Sequence, residues 1–297
     1  SHDFVEAALI RRAGYAVTML PQLEGSYEET PPSLGDLATR DRRWAQGNLQ
    51  HIKIVGARGL HWMSRVHLVQ GIMSYLASPM WLMLLLAGLG LAMVGRHATP
   101  NYFPESFSLF PVWPVFDPEL SLWLFALTCA VLWLPKLLAF ILALRDPALR
   151  SGCGGVSGLV RSVIAETAGS LLLSPVMMLI QSRFVFDVLL GRDSGWHAQN
   201  RSDRAAPFSG CLRQHSLHML AGLGFAVLSF HVSLAAFLWL LPIAAALMLA
   251  PLTAWLSGLP ELGQKLWHWN VFRIPEEAAR SSAPEELVGE PLLEAAE

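Results

Sequence analysis

The sequence is poor in charge. Asp, Glu, Lys and Arg make up 15% of its 297 residues, against about 25% in an ordinary soluble domain. It is equally poor in cysteine chemistry: Cys129, Cys153 and Cys211 form no even set and no C-x-x-C pair. A disulfide framework or a zinc site is therefore not expected. No long basic tract accompanies the net charge of −2, so nucleic acid is not an expected partner. The chain also opens without Met or a charged-then-apolar leader, at Ser1-His2-Asp3-Phe4. It starts directly inside an amphipathic pattern, and the expectation is part of a longer protein. Apolar residues fill the place left by charge, at 53% of the chain with mean hydropathy +0.42. Gathered in runs long enough to cross a bilayer, they predict a polytopic, mainly α-helical membrane protein.

Residues 1–67 are different in character. Phe4 to Arg12 reads as a short helix stopped near Gly14, and Tyr15 to Leu20 as a strand ended by Pro21. A loop follows, and Ser33 is placed to cap a helix through Leu37, Trp44 and Leu49. This order suits the tail end of an α/β domain over residues 1–50, with an interfacial helix over 51–67. Apolar runs follow at 68–94, 121–144 and 167–190, the last weakened by Gln181, Arg183 and Asp187. A long run over 215–256, broken near His231-Val232-Ser233, predicts two antiparallel spans. The domain expectation is thus two spans with an outer loop over 68–144, a cytoplasmic stretch over 145–213, two spans over 214–257, and a tail over 258–297. The acidic end of that tail reads as disordered.

Lys and Arg set the orientation. Arg40, Arg42, Arg43, Lys53, Arg58 and Arg65 precede the first span, whereas the loop 95–120 carries only Arg96. Arg192, Arg201, Arg204 and Arg213 then crowd the loop after 167–190. A crossing by 167–190 would put those arginines outside, so the charge pattern favours an interfacial helix there. Four spans and a cytoplasmic C-terminus follow, with five spans as the alternative.

Two features before the first span carry chemistry: Asp3, and Arg40-Asp41-Arg42-Arg43-Trp44. Taken singly, Asp3 fits a helix cap and the arginines and Trp44 an interfacial anchor. Taken together at this spacing, they resemble the processive family 2 glycosyltransferases, in which Thr-Glu-Asp is followed by Gln-x-x-Arg-Trp at the membrane interface. Ser1-His2-Asp3 departs from the first motif, and Arg40 replaces the Gln of the second. With Asp-Phe-Val-Glu-Ala-Ala-Leu (3–9), Gly-Ser-Tyr-Glu-Glu (25–29), Pro135-Lys136 and Ile274-Pro-Glu-Glu277, these departures resemble one subgroup, the osmoregulated periplasmic glucan glucosyltransferases. The resemblance runs along essentially the whole chain.

The resemblance implies a GT-A-type α/β domain ahead of the spans, UDP-glucose as donor, a β-glucan acceptor, and an inverting, processive reaction with export across a bacterial inner membrane. It implies Asp3 as the base that takes the acceptor hydroxyl's proton. Arg43 then stabilises the leaving diphosphate, with Arg40 assisting, and Trp44 offers a stacking face to sugar. A divalent cation, Mg²⁺, is implied as well, but no Asp-x-Asp motif to hold it is present. Acyl carrier protein and a periplasmic glucan-processing protein are the implied protein partners. Trp196, Gln199 and Arg201 fit a gating loop over the nucleotide and equally a solvated cytoplasmic loop. Lys136, an intramembrane cation, is a candidate channel residue. The rival readings are a membrane glycosyltransferase with a different product and a glycan channel without chemistry.

Overall fold

The computed structural model describes residues 2–20, 30–97, 110, 118–192 and 206–276. In chain order its helices are α1 (His2–Arg12), α2 (Leu34–Gln50), α3 (Trp62–His97), α4 (Pro118–Arg145), α5 (Pro147–Gly152) and α6 (Gly155–Leu189). There follow α7 (Phe208–Gln214), α8 (Ser216–Val232), α9 (Leu234–Met248), α10 (Ala250–Ser257) and α11 (Pro260–His268). The chain divides into two units, Ser1–His97 with Ser170–Pro260, and Ala98–Gly169 with Glu261–Glu297.

In the first unit, α1 ends where the sequence predicts, with Gly14 at φ +92°. The strand predicted for Tyr15 to Leu20 does not form. Tyr15, Met19 and Leu20 stand exposed, and there is no strand among the described residues to pair with them. β-favouring side chains do not make a strand without a ladder partner. Ser33 caps α2 as expected: its backbone is extended and its hydroxyl oxygen accepts the Asp36 N–H at 3.1 Å. The single interfacial helix expected over 51–67 is replaced by a 3₁₀ turn, His51–Lys53, and a non-helical stretch before Trp62. Gly59 sits there at φ +83°, a backbone state that ends helices.

The predicted break near residue 233 is a one-residue joint. Ser233 is extended at φ −169° and ψ 160°, and its hydroxyl accepts the Ala236 N–H at 3.0 Å, restarting the chain as α9. α8 and α9 pack against each other as a hairpin. α7 meets α8 at 59°, and α9 meets α10 at 51°. Gly222 makes the hairpin close, because a methyl there would lie 2.7 Å from the Ala244 carbonyl oxygen and 3.0 Å from Leu247 Cβ. A methyl added at Gly88, Gly90 or Gly95 would meet nothing within 4 Å. One buried cluster joins Leu89, Val176, Phe225, Leu247 and Ala250, and a second joins Ala45, Leu49, Ile72, Tyr75 and Val185.

The second unit contains α4, α5, the first half of α6, and α11. Asp146 caps α5, its carboxylate accepting the N–H groups of Ala148 and Leu149. Gly152, Gly154 and Gly158 form a seat. Side chains at Gly152 and Gly154 would collide with Pro275 and Asn270, and one at Gly158 would meet the Cys153 and Asn270 carbonyls. The turn that fills this seat holds Asn270 and Phe272 at φ +54° and +59°. It is tied down by the Phe272 N–H donating to Ser162 Oγ at 2.9 Å and by Arg161 donating to the Trp269 carbonyl at 3.0 Å. Burial and the Glu276 carboxylate push the Cys153 thiol above its usual range.

Among the described residues, three helices, α3, α4 and α6, are long and apolar enough to cross a membrane, and five segments qualify if each bent pair counts as one span. The expected four lie inside that range, although α6, expected to lie along the interface, is itself long and apolar enough to cross. α4 exposes the consecutive residues Val131, Leu132, Trp133 and Leu134, and so presents apolar side chains on several sides, the pattern of a helix meant for hydrocarbon rather than water.

Candidate functional site

The site is built on α2. Its sequence Arg40-Asp41-Arg42-Arg43-Trp44 distributes side chains all round a helix, and the structure shows which of them fasten it. Asp41 accepts the Tyr75 hydroxyl proton at 2.8 Å on one oxygen and the Gln181 amide at 2.9 Å on the other. The Gln181 carbonyl oxygen accepts in turn from Ser78 at 2.6 Å. One carboxylate thereby ties α2 to α3 and α6. One residue further on, Arg42 donates to Asp187 at 2.7 Å, and its guanidinium stacks over Phe184 at 5.6 Å. Asp187 is also 3.5 Å from Arg192 and 3.9 Å from Arg183. Its side chain is 12% exposed, so three cations converge on one sheltered anion.

The candidate residues lie between and beside these fasteners. Arg40 places its guanidinium 4.8 Å from the centre of the Trp44 ring, a cation–π stack, and Trp44 keeps 48% of its surface exposed. Arg43 is half-buried on the same turn. Asp41 and Arg42 hold the helix, so Arg40, Arg43 and Trp44 are carried on a positioned backbone, the condition under which a small set of side chains recognises a ligand.

Asp3 lies in the first turn of α1, and its exposed carboxylate is 3.0 Å from His2 Nε2. The His2 ring is thus the contact neighbour of that carboxylate. α1 reaches the C-terminal end of α2: Phe4 meets His51 edge-on at 6.2 Å, and Val5, Leu9, Gly47, Gln50 and His51 line one cavity. The structure therefore brings the helix bearing Asp3 to within one turn of Trp44 along α2. Trp196, Gln199 and Arg201, the proposed gating residues, lie outside the described residues, as do Gly25 to Glu29 and the acidic tail from Glu277.

In the second unit, Lys136 has a partner that the sequence reading did not name. Its ammonium donates to Glu166 on α6 at 2.6 Å, with both side chains partly exposed. An ion pair explains how the cation is tolerated within an apolar helix.

Tyr75, Gln181 and Asp187 are the positioning residues missed from the sequence. Their signal was present. Gln181, Arg183 and Asp187 interrupt an otherwise apolar run, and polar groups in such a run are held there by partners.

Residues 2–143 match the sequence model of the family described as glycosyl transferase family group 2. The chain is 47% identical over 287 residues to the glucans biosynthesis glucosyltransferase H of Shewanella sp. (strain ANA-3), an overlap of 96% of this chain and 39% of that protein. The protein of the same name from Shewanella baltica (strain OS223) is 47% identical over 280 residues, 93% of this chain and 38% of the relative. The chain spans about two fifths of the length of the curated relatives it matches. No solved structure matches it.

Proposed function

We propose that this chain, whose residues 2–143 match the group 2 glycosyl transferase family, supplies the acceptor-side and membrane part of a glucosyltransferase that builds a glucan. The observation that carries the reading is α2 itself. Asp41 and Arg42 anchor the helix from beneath, while Arg40 and Trp44 form a flat stacked surface beside Arg43.

In this reading the glucan's growing end lies against Trp44, whose ring offers an apolar face to a sugar. Asp3 takes the proton of the acceptor hydroxyl as that oxygen attacks the anomeric carbon of a nucleotide-bound glucose. The departing diphosphate gains charge, and Arg43, assisted by Arg40, stabilises it through charge-assisted hydrogen bonds. Attack opposite the leaving group inverts the anomeric centre. Repetition without release makes the enzyme processive, and the apolar helices carry the product across the inner membrane. The donor is UDP-glucose, and acyl carrier protein and a periplasmic glucan-processing protein are proposed partners. The loop with Trp196, Gln199 and Arg201 closes over the nucleotide, excluding water from the activated sugar. α6 lies along the cytoplasmic face: its Gln181 and Asp187 answer Asp41 and Arg42 of the arginine-rich α2. The count is then four spans, with the C-terminus cytoplasmic.

A divalent cation is implied by the family. No group of three or more His, Cys, Asp or Glu side chains able to hold one occurs among the described residues, and no step above passes through a metal.

The test uses inverted membrane vesicles from cells making the full-length protein, following labelled glucose from UDP-glucose into polymer. Asp3→Asn at equal abundance is expected to lower incorporation by about 100-fold or more, the usual loss for a general base. Equal incorporation by wild type and variant would remove Asp3 from the chemistry.

A further inference from the structure

Outside the surface just described, the first unit encloses a cavity of about 540 Å³ between α2, α6 and the α7–α8 bend. Its polar lining is Arg42, Arg183, Gln214, His215 and His218. His215 occupies the joint between α7 and α8, where its N–H donates to the Cys211 carbonyl at 3.0 Å, and it is only 2% exposed. The two imidazoles lie 4.9 Å apart, centre to centre, at a tilt of 57°. Among the described residues, no protein group bonds either nitrogen of either ring. Buried polar atoms are nearly always hydrogen-bonded. Four such atoms, buried in two rings that wall one cavity, mark a place where something polar belongs.

The surrounding charge selects its sign. Arg42, Arg183 and Arg192 gather round a single carboxylate, Asp187. Arg42 is already committed to that anion at 2.7 Å, whereas Arg183 is 3.9 Å away with a side chain 77% exposed. The local excess is positive, so a metal cation would be repelled despite the paired imidazoles, and an anion would be drawn in. A guanidinium fork beside two imidazole N–H donors matches the several acceptor oxygens of a phosphate. The remaining walls are apolar, including Phe184, Ala221 and Leu217, and Leu217 is 70% exposed.

We propose that this cavity binds a phosphate group through Arg183, His215 and His218. The source is either the headgroup of a membrane phospholipid, with an acyl chain along Leu217 and Ala221, or a free phosphate. The site is independent of the assignment of Asp3, Arg43 and Trp44.

The melting temperature of the purified full-length protein in neutral detergent, without nucleotide, tests it. The protein is titrated with short-chain phosphatidylglycerol, with the matching diacylglycerol that lacks phosphate, and with inorganic phosphate. Phosphatidylglycerol is expected to raise the melting temperature in a concentration-dependent way, with diacylglycerol inert. Arg183→Gln, at an exposed position that does not endanger folding, and His218→Leu are each expected to weaken the apparent affinity by about tenfold or more. A response to phosphatidylglycerol alone assigns a lipid headgroup; a response to inorganic phosphate as well assigns the phosphate group itself. An equal response to diacylglycerol would reduce the cavity to an apolar cleft and overturn the proposal. So would the absence of any response, or one left unchanged by Arg183→Gln.

Discussion

Two carboxylates on α6 each answer a cation from another helix, and their surroundings differ. Glu166 takes one ammonium, Lys136, at 2.6 Å, with side chains 44% and 36% exposed. Asp187 takes Arg42 at 2.7 Å, sits 12% exposed, and is approached by two further arginines. The first is a local neutralisation that lets a cation sit in an apolar helix. The second is a junction that fixes α2, the helix carrying the candidate sugar-binding residues. A salt bridge acquires structural weight when one partner is sheltered and serves several others, because its removal strands charges that cannot return to water.

Substitutions can break this comparison or sharpen it. Asp187→Asn is expected to be the most damaging, lowering stability by about 3 kcal/mol because Arg42 keeps its charge and loses its anion. Thermal unfolding of the detergent-purified protein would show it. A change as small as that of an exposed pair would mean that solvent reaches the junction. Asp41→Asn comes next, at about 2 kcal/mol, since a neutral amide has one acceptor oxygen for the two donors, Tyr75 and Gln181, that the carboxylate now serves. On the proposed function, glucan synthesis is expected to fall with it, because α2 loses its tie to α3. Glu166→Gln is expected to be mildest, about 1 kcal/mol or less, as for other partly exposed pairs. If it matched Asp187→Asn, shelter and multiplicity would not be what separates the two pairs.

The helices were legible in the sequence because their causes are local. Long apolar runs predict α3 and α4, Ser33 predicts the start of α2, and Ser233 falls at the predicted break. The strand at Tyr15 to Leu20 was misread because a strand is a property of pairs, and composition does not supply the partner. Gly152, Gly154 and Gly158 were not legible for a related reason. Their small size serves a turn more than a hundred residues away, where Phe272 bonds Ser162, and only the folded chain shows what they receive. Arg42 was visible as a charge but not as a fastener, since its partner lies 145 residues further on. Of the candidate site, the residue types around Trp44 were readable, while the division of labour along α2 was not. His215 and His218 gave one faint sign, two imidazoles three residues apart at the mouth of an apolar run.

The glycine seat also orders events during synthesis. The groups that fill it, from Trp269 to Pro275, leave the ribosome only after the whole α8–α9 hairpin has been made, so the seat waits open through that interval. Closing it joins positions 110 residues apart, a slow kind of contact for a chain still being threaded. Completion of the second unit is therefore a late step, and the seat is a place where an interrupted or truncated product would present uncovered backbone to the cell's quality control.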